Sequence, residues 1–176
     1  GSTDPMGWAD VDETGIKSIY AFSAYDFARG VVAARSGDVS AAAAQARRLQ
    51  ARSDAARANA VGVVASRYDS VTPEELEQGQ ILATALEGAI LFAQGRRDDG
   101  LDRVRKAIAR ADSMAFEYGP PYSVKPLDEL LADLLLTAGK PAEAAAAYRK
   151  TLAVHPDRRL AVAGLNAALG AESPDG

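Results

Sequence analysis

Residues 130–156 read LLADLLLTAGKPAEAAAAYRKTLAVHP, and this stretch decides the fold. Its leucines recur at three- and four-residue steps, which places most of them on one face of a first helix. Gly139 ends that helix, because a residue without Cβ can take the left-handed conformation that closes a helix C-terminus. Pro141 then falls in the first turn of a second helix, where a missing N–H is tolerated. The stretch therefore predicts a helical hairpin.

The second helix of this hairpin carries its own apolar stripe. It ends at His155, because the residue before a proline is pushed out of the helical region. The stripe consists of Ala144, Ala147, Tyr148, Thr151 and Leu152.

The hairpin resembles a repeat of the tetratricopeptide repeat (TPR) family, which consists of about 34 residues of helix, turn and helix. Two positions depart from the family pattern: Asp128 stands where a tryptophan is usual and Thr151 where an alanine is usual. These departures are typical of a degenerate repeat. The matching positions are Ala132, Gly139, Ala144, Tyr148, Leu152 and Pro156.

The same pattern of small residues and a turn glycine occurs twice more in the chain. The two later turn glycines are 139 − 95 = 44 residues apart, about ten more than one TPR repeat. The three sets, each in the order small residue, turn, close-packing residue, are Gly30, Gly37, Ala42; Gly88, Gly95, Gly100; and Ala132, Gly139, Ala144. The resemblance therefore implies an all-α fold, a TPR-like right-handed helical-hairpin solenoid of about seven helices with a terminal capping helix.

The predicted organisation is a single helical domain over residues 14–171. Its hairpins span about 14–58, 72–114 and 125–156, and the terminal helix spans 157–170 with apolar Leu160, Val162, Leu165 and Leu169. Residues 1–13 are predicted to be a remnant of cloning (GSTDP) followed by a flexible terminus in which Trp8 is loosely docked or an anchor. Residues 172–176 are predicted to be a disordered tail.

Two stretches lie between the first and second predicted hairpins, and only the second carries a clear signal for secondary structure. Residues 59–70, NAVGVVASRYDS, lack a clear period and either continue the second helix or form a loop. Thr72-Pro73-Glu74-Glu75 then combines an N-cap hydroxyl, a first-turn proline and a capping-box glutamate. A helix is therefore predicted to begin at Thr72 and to reach Gln94.

Composition excludes several function classes. The net charge is −4 and Lys and Arg are interleaved with Asp and Glu, so no basic surface for nucleic acid is predicted. The chain has no cysteine, which excludes disulfides and thiolate sites and fits a cytoplasmic location. Its apolar runs are shorter than the roughly 18 residues that a membrane span needs, so no membrane insertion is predicted.

Residues suited to catalysis are sparse. His155 is the single histidine, and carboxylates such as Asp128 and Glu129 occur as adjacent residues that point in different directions on a helix. No phosphate-binding, nucleophile-elbow or zinc-binding motif occurs. The sequence therefore predicts a non-enzymatic protein without cofactor or metal, with carboxylate chemistry as the remaining enzymatic hypothesis.

The TPR resemblance implies a ligand site on the concave surface lined by the first helix of each hairpin. The residues placed there by alignment are Phe27, Val31, Ala85, Ala89, Phe92, Glu129, Asp133 and Leu136. They predict an apolar groove with an acidic end that binds a peptide or an amphipathic helix of a partner protein. Alternatively, these side chains are core, or are covered by the N-terminal segment or by neighbouring repeats.

The connector of residues 115–124 contains two prolines flanked by Tyr118 and Tyr122. It is either a recognition loop or a lid whose tyrosines cover a helix edge. The surrounding stretch SMAFEYGPPYSVKPLDELLADLLL also resembles the C-terminal end of long bacterial TPR-array proteins. That resemblance implies an alternative function, a structural cap or self-association domain, with a homo-oligomer or neighbouring repeats as the partner.

Overall fold

The computed structural model describes residues 19–60, 71–114 and 125–172. Within these ranges every regular element is a helix, which confirms the all-α prediction there. The helices are α1 (Ile19–Arg35), α2 (Val39–Ala60), α3 (Pro73–Ala93), α4 (Arg97–Asp112), α5 (Leu127–Thr137), α6 (Pro141–Val154) and α7 (Arg159–Glu172). The predictions for Trp8, for the tail and for the connector with Tyr118 and Tyr122 lie outside the described residues.

Three tight turns join α1 to α2, α3 to α4, and α5 to α6. Gly37, Gly95 and Gly139 occupy them with φ of +83°, +85° and +74°, which confirms the three predicted turn glycines. At the middle turn the Gly95 N–H donates to the carbonyl of Phe92 and the following N–H to that of Leu91, each at 3.0 Å. The other two turns have the same pair of bonds. This Schellman motif satisfies the last carbonyls of the first helix and turns the chain back.

The start of α3 is fixed by a capping box, as predicted. The Thr72 hydroxyl accepts a hydrogen bond from the Glu75 N–H at 3.2 Å, and the Glu75 carboxylate accepts one from the Thr72 N–H at 3.0 Å. Two backbone donors that the helix itself cannot satisfy are therefore paired.

Removal of this cap is expected to destabilise the protein measurably. Thr72→Ala should lower the free energy of unfolding by about 1 kcal/mol, because the Glu75 N–H loses its acceptor. Urea denaturation followed by circular dichroism measures the change. Thr137→Ala is the control, because Thr137 is exposed in the last turn of α5 and its loss should stay within about 0.5 kcal/mol. Equal losses in the two variants would contradict the role of the cap.

The helices pack largely in chain order. Each helix contacts its neighbours along the chain, and α1 also packs against α3. Between successive hairpins, α2 contacts α3, α4 contacts α5, and α6 contacts α7. One continuous apolar core results. Its fully buried large side chains include Phe27, Leu86, Leu101, Leu130, Leu135 and Tyr148.

Small residues set how closely the helices approach. A Cβ added at Gly88 in α3 would lie 2.8 Å from the Gly100 carbonyl of α4, and one added at Gly30 would lie 2.6 Å from the Leu86 side chain. At Gly88 the close atoms include backbone, so the crossing of α3 and α4 requires glycine there, whereas at Gly30 an added methyl group would force the Leu86 side chain to move. All six small residues aligned with each other in the sequence are buried, as close packing requires: Gly30, Ala42, Gly88, Gly100, Ala132 and Ala144.

The terminal helix α7 packs against α6 with a different face from the one that its large apolar residues suggest. Ala161 and Ala168 are fully buried, whereas Leu160, Val162 and Leu169 are 46%, 42% and 38% exposed. The reason lies in α6: the Tyr148 ring fills the space over Gly164, where an added Cβ would lie 2.3 Å from it. The contact therefore requires small residues on α7.

Candidate functional site

The residues predicted to line the apolar part of a concave groove lie mostly in the core. Phe27 is 1% exposed and Phe92 is 9% exposed, and both contact the chain's own helices. The other predicted residues share this placement: Val31, Ala85 and Ala89 are buried, and Leu136 is partly buried against the core. In this structure these side chains are therefore part of the core, which is the placement that the alternative interpretation gives them.

Glu129, predicted to form the acidic end of that groove, is instead a buried ion-pair partner. It is 1% exposed. Lys125 Nζ donates to one carboxylate oxygen at 2.8 Å, and the Arg158 guanidinium donates to both. Burial alone would raise the pKa of Glu129, but the Arg158 hydrogen bond and the nearby Lys125 outweigh it and lower the pKa.

Asp133, one turn further along α5, is held in the same way. Its Oδ1 accepts a hydrogen bond from the Tyr148 hydroxyl at 2.6 Å, and its Oδ2 lies 2.7 Å from Arg35 Nη1 and 2.9 Å from Lys125 Nζ. Burial, together with this bond to a carboxylate, raises the pKa of Tyr148. The two predicted acidic residues are therefore paired with cations of the same chain in this structure. We name these six residues, Arg35, Lys125, Glu129, Asp133, Tyr148 and Arg158, the Glu129 cluster.

A recess open to solvent lies on another side of α5, between α4 and α6. This α4–α6 groove has a volume of about 450 Å³. Leu131 and Leu135 of α5 contribute to its lining together with Ile108, and alanines of α4 and α6 leave the space above them open. The lining residues are Arg105, Ile108, Ala109, Asp112, Asp128, Leu131, Leu135, Glu143, Ala146, Ala147 and Lys150.

Ion pairs between α4 and α6 connect the two walls of the groove at both ends. Arg105 lies 3.0 Å from Glu143, and Lys150 lies 3.5 Å from Asp112. Both contacts join residues 38 positions apart, so the two helices run parallel and in register. Alanines occupy the walls between the two pairs. The groove is therefore a short apolar channel with a charged rim.

Each of these cations also contacts a second carboxylate. Arg105 donates to Asp102 at 3.0 Å, and Lys150 Nζ lies 3.3 Å from Asp128. Burial raises the pKa of Asp128, an effect that Lys150 counters but does not cancel and to which the negative Asp112 adds. Burial lowers the pKa of Lys150, but the two aspartates outweigh it and raise the pKa. The electrostatic potential at this end of the groove therefore stabilises a positively charged group.

The described part of the chain shows no other arrangement with evident chemistry. Among its residues no group of three or more His, Cys, Asp or Glu is placed to hold a metal ion. His155 lies at the C-terminal cap of α6, where its N–H donates to the Thr151 carbonyl. Asp128 faces the α4–α6 groove while Glu129 faces the Glu129 cluster, so the adjacent carboxylates do point in different directions. None of the helices described is long and apolar enough to cross a membrane.

The α4–α6 groove was not predicted from the sequence. The available signal was the spacing of charges: Arg105 and Asp112 in α4, and Glu143 and Lys150 in α6, are each seven residues apart with opposite signs. No family model matches the sequence, and neither a curated protein nor a solved structure matches it significantly. The geometry of the groove therefore carries the inference on function.

Proposed function

We propose that this protein is a non-catalytic protein-interaction scaffold of TPR-like helical hairpins, and that it binds a short segment of a partner protein in the α4–α6 groove. The observation that carries the proposal is a recess open to solvent between two parallel helices, in which exposed Ala109 and Ala146 form the walls and the nearly buried Leu131 and Leu135 form the floor. Apolar clefts with a few polar groups at the rim are the usual form of peptide and ligand sites.

The proposed TPR-like solenoid has three supports. The same glycine turn closes each of the three hairpins. Successive hairpins are joined by contacts between the second helix of one and the first helix of the next. The second helices α4 and α6 run parallel, as repeated hairpins require. Stacked hairpins expose long surfaces and serve as binding scaffolds.

Glu129 and Asp128 are the carboxylates to consider for the enzymatic alternative. The pKa of Glu129 is lowered, so the group stays ionised and paired with Arg158. The pKa of Asp128 is raised, but its carboxylate is engaged by Lys150 at the groove rim. Both placements favour structural ion pairs over acid–base catalysis.

A wall substitution tests binding in the groove. Ala146→Trp places a large side chain on an exposed wall position, and Ala153→Trp makes the same change on an exposed position of α6 outside the groove lining. Phage-displayed random peptides selected on the wild-type protein should bind the Ala153→Trp variant equally. They should lose about tenfold or more in affinity for Ala146→Trp, or about 1.4 kcal/mol.

The possible failures of this experiment are distinct. Selection of no peptide above background would count against the scaffold function. Selected peptides that bind the two tryptophan variants equally would show an interaction outside the groove. Circular dichroism of both variants verifies that they remain folded.

One observation favours self-association as a second candidate function. The exposed large apolar side chains of the described residues all belong to α6 and α7: Val154, Leu160, Val162 and Leu169. Val162 and Leu169 share one face of α7 because they are seven residues apart. Exposed apolar side chains gathered in one place mark contact surfaces. A molecular mass from light scattering that rises with concentration in the wild type, and that stays at the monomer value in a Val162→Lys variant, would support this function.

A further inference from the structure

The rim of the α4–α6 groove has the same charge arrangement at both ends. At one end Arg105 is shared between Asp102 and Glu143. At the other end Lys150 is shared between Asp112 and Asp128. Each end thus places two negative charges around one positive charge. A second cation at either end would gain an interaction, whereas an anion would be repelled.

The distance between the two ends is set by helix geometry. Arg105 and Asp112 are seven residues apart on α4, as are Glu143 and Lys150 on α6. Seven residues of helix span about 10.5 Å, or two turns. Cationic groups that reach both ends at once must therefore be separated by about the same distance, with apolar side chains between them above Leu131 and Leu135.

We propose that the partner segment is an amphipathic helix with a basic residue at each end of one face and large apolar residues between them. This inference rests on the proposed function and adds the chemistry of its ligand. On the partner helix the basic residues stand at i and i+7, and the apolar residues at i+3 and i+4, because these positions share one helix face. The apolar side chains enter the groove, and the two basic side chains contact the carboxylates at its ends.

The charge of the rim distinguishes this partner from others. Acidic peptides and nucleic acids would bring negative charge to two sites that already hold two carboxylates each. A second copy of this chain could offer the exposed apolar residues of α7. That helix has Arg159 at the first basic position, with Val162 three residues later, but Asn166 where the second basic residue is needed. It therefore matches only half of the pattern.

Synthetic helical peptides test the proposal directly. The first peptide, of about 15 residues, carries Lys at i and i+7 and Leu at i+3 and i+4 in an Ala- and Gln-rich background that favours helix formation. The second replaces both lysines with glutamate. Fluorescence anisotropy with the full chain should show that the Lys peptide binds at least about tenfold more tightly. The ratio should shrink as salt rises from about 0.05 M to about 0.3 M, because the rim is exposed and its charges are screened.

A pair of double variants locates the interaction. The groove variant Asp112→Asn/Glu143→Gln removes one carboxylate from each end. The control variant Glu87→Gln/Asp99→Asn removes two carboxylates from exposed ion pairs outside the groove, so the net charge of the protein changes equally. Both variants should unfold as the wild type does, since exposed pairs contribute little. The Lys peptide should lose about tenfold in affinity for the groove variant and keep its affinity for the control.

Several results would overturn the proposal. Equal affinities of the Lys and Glu peptides would do so, as would equal losses in the groove and control variants. Dimerisation of the protein that Ala146→Trp prevents would assign the groove to a second copy. If the Lys peptide does not bind, but phage-selected peptides of another composition bind and lose affinity for Ala146→Trp, this ligand chemistry is refuted and the proposed function still stands. If no peptide of any composition binds in a way that depends on the groove, both this inference and the proposed function are refuted.

Discussion

Glu129→Ala is expected to lower the free energy of unfolding by about 3 kcal/mol or more, the largest effect of any substitution considered. The carboxylate is buried and holds Lys125 and Arg158, which are only 11% and 21% exposed. Its removal leaves two cations with little access to water and fewer acceptors. The loss comes from these unpaired charges, since the net gain from a buried ion pair is small. Urea denaturation at neutral pH measures it.

Two further variants separate charge from packing at this position. Glu129→Gln keeps the shape and an acceptor oxygen, so its loss should be smaller than that of Glu129→Ala. Glu87→Ala removes a carboxylate from an exposed pair with Arg103 and should cost no more than about 1 kcal/mol. A loss at Glu129 no larger than that at Glu87 would refute the structural role of the Glu129 cluster.

The pH dependence of this effect has a definite sign. The ordinary pKa of a glutamate is 4.5 and that of Glu129 is lowered in the folded protein. The folded state thus binds the proton more weakly than the unfolded state, and the carboxylate stabilises the fold fully above its ordinary pKa. This contribution is lost as pH falls below 4.5 and through the lowered pKa. The stability difference between wild type and Glu129→Gln should be constant near neutral pH and shrink in acid.

Gly100→Ala is expected to lower the free energy of unfolding by about 2 kcal/mol. The added Cβ would lie 2.7 Å from the Gly88 carbonyl and 2.8 Å from the Phe92 nitrogen, so α3 and α4 would have to separate. Such overpacking costs about 1–3 kcal/mol or more, against which alanine regains about 1 kcal/mol of helix propensity. The neighbours are backbone atoms that no side-chain rotation can move away. The overpacking cost therefore lies at the upper end of that range, which leaves a net loss of about 2 kcal/mol after the gain in helix propensity. Thermal and urea unfolding can measure this loss.

Gly170→Ala is the matched substitution in an open position. No atom lies within 4 Å of a Cβ added to Gly170 on the exposed side of α7. The change should therefore leave the protein as stable or raise its stability by up to about 1 kcal/mol, through helix propensity alone. If Gly100→Ala stabilised the protein as much as Gly170→Ala does, α3 and α4 would not cross as closely as described.

The parts of the fold that depend on local chemistry could be predicted from the sequence. Gly95 and Gly139 mark turns because only glycine adopts positive φ readily, and Thr72 with Glu75 marks a helix start through bonds between near neighbours. The end of α2 was left open, because residues 59–70 were predicted either to continue the helix or to form a loop. The helix is described as far as Ala60, and residues 61–70 lie outside the described residues.

Contacts between distant residues could not be predicted in the same way. The periodicity of Phe27 and Phe92 identifies an apolar face, but it does not show whether another helix of the chain covers that face. Glu129 appeared to be an available acidic residue because one of its partners, Arg158, lies 29 positions away. The α4–α6 groove depends likewise on pairs 38 positions apart, which no local pattern reveals.

The ion pair between Arg35 and Asp133 affects how the molecule opens. It joins residues 98 positions apart, in helices whose backbones do not otherwise pack together. Stacked hairpins that touch only their neighbours can fray one unit at a time from either end. This contact connects the last turn of α1, in the first hairpin, to α5 in the third, so the opening of either hairpin breaks it. Because Arg35 is half exposed, ions in solution weaken the connection. We therefore expect the first and third hairpins to open more independently of each other as ionic strength rises.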